Sequence, residues 1–297
     1  MHLRRALPLS IIFGLMLSSS VPTWAAGGKA FDQKYRLYGK QLKNFVDAKS
    51  GMVHYRQWLK KREGLDAFIK SLSLLKKEDY EKFSEKDRGA FWVNVYNALA
   101  IKSVLDHYPV KQTLDYYPAD SVRQFNEGWE VLKFDVMGQP ITLYDIEHDR
   151  LRRGLHDPRL HFVVASTAKD GPKLSVEPFV AASLDDKLDL LTRQFFEQAN
   201  ALTIDEARNS VRVSKIFSWF TLDFAARAGY GKAVFPPPRD EDIILDFIAN
   251  YLPAERRQSL EQCRARANFS FDYLPFDWSL NDADKCEHRE EAVPDRR

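Results

Sequence analysis

The chain has few of the features that announce a reaction. Its 13 glycines are scattered and build no phosphate-cradling loop, which argues against a nucleotide enzyme. No H-E-x-x-H or comparable spacing occurs. His148, His156 and His161 with Glu147 and Asp157 make only a loose cluster, so no metal site and no cofactor is expected. Charge of one sign is lacking as well, with 44 Lys and Arg against 42 Asp and Glu. Without Arg4 and Arg5 the formal charge falls from +2 to 0. A balanced chain has no electrostatic footprint for nucleic acid or for an anionic membrane surface.

Long apolar runs are missing everywhere except at the N-terminus. Arg4 and Arg5 precede the apolar stretch 6–21, and Thr23-Trp24-Ala25 places small residues at −3 and −1 of a cleavage site. Residues 1–25 therefore read as a secretory signal peptide, with cleavage after Ala26 as the second choice. A retained anchor is the alternative, disfavoured by the short run and its cleavable end. No cysteine follows the cleavage point, so a lipid anchor is not indicated, and no stable membrane anchor is expected after cleavage. The remaining residues, 26–297, are at the upper size of one core and read as a single globular domain. Only two cysteines occur, Cys263 and Cys286. In an exported protein such an isolated pair is most simply a disulfide, worth about 3 kcal/mol by loop closure.

What is present is a helix that is apolar all round. Ser84 and Asp87 form a capping-box pattern, Pro109 marks the far end, and apolar side chains between them cover nearly every direction. Such a helix is buried. Asn94 and Asn97 nevertheless sit within it, and an unmet buried amide costs about 1–3 kcal/mol. The pair predicts a buried polar network tied to the segment around 159–168.

Around this helix the pattern predicts helices over 31–48 and 55–75 and a long ordered loop over 110–130. A hairpin across Gly138-Gln139-Pro140 and a short helix 146–153 capped by Asp145 follow. The apolar run 160–165 reads as a central strand. Beyond it come a helix from 183 to 199, short strands near Leu202 and Val211, and a helix 215–227. Pro236-Pro237-Pro238 forms a stiff connector before helices near 240–251 and 254–265 and a last strand 269–273. Helices outnumber short, hairpin-like strands. The fold class is α+β, one domain, with a buried central helix packed on a short mixed or antiparallel sheet.

Five blocks carry a resemblance: FWVNVYNALAIKSVLDHYP at 91–109, IEHDRLR at 146–152, DPRLHF at 157–162, SKIFSWFTLDF at 214–224 and YLPFDWSLN at 273–281. Together they resemble the domain of unknown function 547 family, in order from Val53 to Asn281. The resemblance implies an exported bacterial protein, hence a periplasmic location, but no activity. It also implies a cysteine where this chain has Ser166 and a second where it has Gly171. A serine hydroxyl ionises far less readily than a thiol and needs an adjacent base.

His161 is the candidate base, with Arg159 two residues earlier and His148 and Arg152 on the neighbouring short helix. On a strand His161 and Ser166 would face opposite sides, and no G-x-S-x-G elbow surrounds Ser166. Lys169 could hold an anionic ligand. Asp277 and Trp278 in the aromatic C-terminal block, like Trp219 and Asp223, read either as a pocket wall or as a plug that closes the core.

Two functions follow. The first is a non-catalytic ligand-binding or accessory protein, with a small molecule or a periplasmic or envelope protein as partner. The second is a periplasmic hydrolase or transferase of papain- or transglutaminase-like layout, with His161 and Ser166 as its catalytic residues.

Overall fold

The buried helix organises the molecule. In the computed structural model, which describes residues 31–125, 129–230 and 237–285, helices α1 (Arg36–Phe45), α2 (Tyr55–Leu59), α3 (Glu63–Leu74) and α4 (Lys77–Tyr80) lead into α5 (Glu85–His107). The capping box forms: Ser84 Oγ accepts from Asp87 N at 3.1 Å, and Ser84 N donates to Asp87 Oδ2 at 3.2 Å. From Gly89 to Leu105 nearly every residue of α5 is buried. The elements packed around it are α2, α3, the later helix Leu184–Phe196 and the helical turns between 143 and 183. Tyr38 of α1 stacks on Phe68 of α3 at 4.9 Å, and Phe45 stacks on Trp58 of α2 at 5.1 Å.

The single helix expected over 55–75 is two helices. Arg62 stands at the break and reaches both Asp66 (2.8 Å) and Asp106 (2.7 Å), anchoring the turn to the end of α5. The hairpin consists of β1 (Phe134–Val136) and β2 (Gln139–Ile141). Its turn is Met137-Gly138, both at positive φ, as a primed two-residue turn requires. Gln139 and Pro140 thus belong to the second strand, in a two-stranded sheet where every strand is an edge.

The next helix is capped one turn earlier than expected. Thr142, not Asp145, is its N-cap, with Asp145 as the third helical residue returning the bond. Helix α6 (Leu143–Asp145) runs directly into a π-helical segment, Ile146–Arg152, and then α7 (Arg153–Leu155).

The strand expected over 160–165 is absent. Pro158–Phe162 is a 3-10 turn, opened by the Asp157 side chain accepting from Arg159 N and by Pro158 at its first position. The apolar run that follows is irregular and pairs with a side chain. Asn97 Nδ2 donates to Val163 O at 3.0 Å and Asn97 Oδ1 accepts from Ala165 N at 2.7 Å. Asn94 does the same to Phe179, with contacts of 2.8 and 2.9 Å. Each amide thus supplies the donor and acceptor that a neighbouring strand would have supplied.

The second half holds α8 (Leu184–Phe196), β3 (Leu202–Asp205), β4 (Ser210–Val213), α9 (Ile216–Phe224), α10 (Asp240–Ala249), α11 (Ala254–Arg264) and β5 (Ser270–Tyr273). Strand β4 is central, antiparallel to β3 and parallel to β5. Phe162, Phe196, Phe217, Phe224 and Phe247 fill the space between these helices and the sheet. Residues 277–285 then return across the molecule. Tyr108 Oη donates to Asp282 and Tyr55 Oη to Asn281, at 2.8 and 2.7 Å.

The result is an α+β fold with small mixed and antiparallel sheets. All of these elements belong to one compact unit that begins at Asp32. The expected signal peptide, the Pro236 end of the connector and Cys286 lie outside the described residues. No helix among the described residues is long and apolar enough to cross a membrane.

Asn97→Leu keeps the size of the side chain and leaves Val163 O and Ala165 N unpaired. A loss of about 1–3 kcal/mol for each stranded group is expected in urea denaturation, with an unchanged slope.

Candidate functional site

A cavity of about 610 Å³ opens where the π segment, the 3-10 turn, α9 and the aromatic C-terminal block meet. The 3-10 turn is what brings His161 and Ser166 into it together. On a strand they would have faced apart.

The floor is a chain of charged and polar groups. His161 Nε2 lies 2.8 Å from Asp223 Oδ2. Arg152 holds the same carboxylate with two parallel bonds, Nε to Oδ2 at 2.6 Å and Nη2 to Oδ1 at 3.0 Å. Its remaining nitrogen, Nη1, lies 2.6 Å from His148 Nδ1. Burial alone would push the Asp223 carboxyl up, but the bonds from His161 and Arg152 outweigh it and hold Asp223 well below the usual carboxylate range. Asp223 is thus an ionised acceptor, and His161 Nε2 carries the donated proton. A guanidinium only donates, so His148 Nδ1 is an acceptor and its ring proton sits on Nε2. Burial, with Arg152 adding to it against Glu147, lowers the His148 pKa and favours this neutral ring.

The walls are aromatic. Phe220 stacks on His161 at 4.1 Å and 17° and carries the Arg152 guanidinium at 4.7 Å from its centroid. Phe220 is also the non-helical residue that kinks α9, so the bend places its ring over the imidazole. Trp219, Phe276 and Trp278 form one cluster with centroids 4.5–5.4 Å apart. Arg123 covers Trp278 at 4.6 Å. On the opposite wall Trp129 Nε1 donates to Tyr96 Oη at 2.7 Å, and Tyr96 Oη donates to Glu147 at 3.2 Å. Burial, followed by the charge of Glu147, keeps the Tyr96 phenol protonated.

Ser166 reaches the cavity from a strained loop. Thr167, β-branched and buried, is at φ 55°, a conformation that costs of order 1–3 kcal/mol. Asn281 N donates to Thr167 O at 2.9 Å and helps to hold it there. Ser166 Oγ has no hydrogen-bond partner among the described residues. Gly171 packs directly against it: a Cβ at 171 would stand 2.0 Å from Ser166 Oγ. Position 171 must be glycine while 166 bears this rotamer.

His148, His161, Ser166 and Trp278 line the cavity, and Arg152 stands behind the two imidazoles. The other anticipated residues lie elsewhere. Asn94 and Asn97 are backbone clamps. Arg159 is buried and fully engaged by Asp157 (2.5 Å), Asp185 (3.1 Å) and Asp189 (2.7 Å), joining the 3-10 turn to α8. Lys169 is an exposed partner of Asp277 at 3.4 Å, and Asp277 Oδ1 caps the turn at Ser279 N. The group that joins the site together is Asp223, whose only sequence signal is a lone acid in the apolar TLDF stretch. Among the described residues no group of acids, histidines and cysteines could hold a metal ion.

The family model described as a protein of unknown function, DUF547, matches residues 80–196. No curated protein and no solved structure matches the chain. The match is narrower than the resemblance read over 53–281. The DUF547 segment contains α5 with both clamps, the π segment, His161 and Ser166, and it ends with α8. The blocks at 214–224 and 273–281, which supply Asp223, Phe220 and Trp278, lie beyond it. The site is therefore completed by elements outside the matched span.

The ion pair makes a testable contribution to stability. A carboxyl lowered on folding stabilises above its unfolded pKa, about 3.9, and that gain is lost as pH falls through the lower folded value. Asp223→Asn should therefore lower the Tm at pH 6, with the gap from the native chain narrowing progressively as pH falls below about 4. A gap independent of pH would mean that the ionised carboxylate is not what stabilises this junction.

Proposed function

We propose that this is an exported, periplasmic protein that binds a small organic molecule in the aromatic-walled cavity without forming a covalent intermediate. The observation that supports the reading is the pairing of a ligand-sized, largely aromatic space with a lining imidazole, His161, whose second nitrogen has no partner among the described residues. Cavities of 300–1,000 Å³ with a few convergent polar groups are the usual form of small-molecule sites. Ser166 Oγ and His161 Nδ1 have no partner among the described residues, and both residues line the space.

The hydrolase reading is weaker because a nucleophilic serine needs a base in hydrogen-bond reach. Ser166 has none: its Oγ has no hydrogen-bond partner among the described residues. Nor do nearby cations favour an ionised oxygen at position 166, since Arg159 is neutralised by three aspartates and Lys169 pairs with Asp277. Export rests on the N-terminal pattern, and an envelope partner remains the accessory form of the same reading.

Indole should bind the cavity, detected by saturation-transfer NMR, while a fluorophosphonate probe leaves Ser166 unlabelled on peptide mapping. Stoichiometric labelling of Ser166 would overturn the non-catalytic reading. Absence of any cavity ligand, indole included, would overturn the binding one.

The disulfide belongs to the exported state. Cys263 is a free thiol at 1% exposure, and burial pushes its pKa up. We propose that it pairs with Cys286 in the oxidising compartment. Alkylation of the denatured, unreduced exported protein should find no free thiol. Two reactive thiols would leave Cys263 as an unpaired core residue.

A further inference from the structure

The two imidazoles of the cavity are held by one ion pair but present opposite hydrogen-bonding polarity. Arg152 occupies His148 Nδ1 as donor, at 2.6 Å, which leaves Nε2–H as the free edge of that ring. Asp223 occupies His161 Nε2 as acceptor, at 2.8 Å, which leaves Nδ1 as the free edge of that ring. Neither free edge has a partner among the described residues, and both rings line the cavity. Because Arg152 and Asp223 bind each other through two bonds, the two polarities are set together.

The remaining lining narrows the ligand further. Arg123 and Lys215 are balanced by Glu130 and Glu147, so no net ligand charge is favoured. Phe220, Trp219 and Trp278 offer flat apolar surface next to the imidazoles.

We infer that the cavity takes a neutral, flat ring with an amide-type –CO–NH– edge, its carbonyl accepting from His148 Nε2 and its N–H donating to His161 Nδ1. This rests on the reading that the cavity binds a small molecule. It adds the chemical class of that molecule, a lactam or a nucleobase-like ring. Arg152 and Asp223 are then positioning residues, acting through the imidazoles without touching the ligand.

The test compares rings of one shape that differ only in the N–H. Uracil and 1,3-dimethyluracil are titrated into the exported protein at pH 8, with indole as the ring that has no amide edge. Uracil should bind at least about tenfold more tightly than its dimethyl analogue, the worth of about one hydrogen bond. His161→Ala should abolish that preference while indole still binds, which also shows that the variant is folded. Equal binding of the two uracils, or a preference that survives His161→Ala, overturns the assignment. Indole binding with no uracil binding overturns the ligand class and leaves the cavity reading standing. If no ring binds, the cavity reading fails and this inference fails with it. Nitrogen-15 NMR of the native protein gives an independent check. A proton on His148 Nδ1, where Nε2 is expected, would remove the donor on which the inference depends.

Discussion

The bidentate pair between Arg152 and Asp223 is the interaction on which the site depends. It spans 71 residues of sequence, joining the π segment to the kinked helix α9. Its two partners each carry a histidine: His148 four residues before Arg152, and His161 on the carboxylate of Asp223. Side-chain exposure of 26% and 27% leaves the pair only partly in water, so screening is incomplete and its geometry is well determined. Removing either partner leaves the other with a single imidazole bond in place of the two-bond pair. Ion pairs of this kind are poor evidence for net stability, but they specify an arrangement. Here they specify which nitrogen of each ring faces the cavity.

The asparagine clamps fix the segment that follows His161. The 3-10 turn bearing His161 is followed by a stretch that belongs to no sheet, and an unpaired backbone in the core would be costly. Asn97 satisfies it from the side of α5, and Asn94 satisfies Phe179 in the same way further along. The central helix therefore acts as a rigid edge to which two irregular segments are hydrogen-bonded. Loops fixed in this way can carry a strained residue such as Thr167 and still present Ser166 in one orientation. The same segment is bonded from its other side by residues 279–281, which carry the chain on from Trp278.

The sequence made the helices legible where local rules decide the outcome. The Ser84–Asp87 box, the all-round apolar face of α5 and the strands around Leu202 and Val211 need no distant partner to be recognised. Residues 160–165 were legible only as apolar. Period and composition cannot tell a strand from an irregular segment paired to an asparagine, because both satisfy the backbone and bury the same side chains. The misplaced roles of Arg159 and Lys169 have a similar origin. A cation near a histidine in sequence carries no information about which carboxylates will surround it in space, and Asp185 and Asp189 come from a helix beginning more than twenty residues later. Asp223 was legible as a candidate pocket residue, but its two partners, Arg152 and His161, come from distant segments that no local pattern connects to it.

Ser166 and Gly171 show how far the local sterics can be taken. The side chain at 166 and the absent one at 171 occupy the same space, since a Cβ at 171 would fall 2.0 Å from Ser166 Oγ. The carbonyl of Ala168, 3.1 Å from that Cβ, closes the remaining direction. The two positions are thus one packing unit, and neither can change size alone. A nucleophile needs freedom to approach a substrate and a base to take its proton. Ser166 is instead confined by Gly171 on one side and by the strained turn at Thr167 on the other, with no base on its oxygen. Two imidazoles of set polarity and an aromatic wall together form a recognition surface, and neither requires a bond to the ligand to be made or broken.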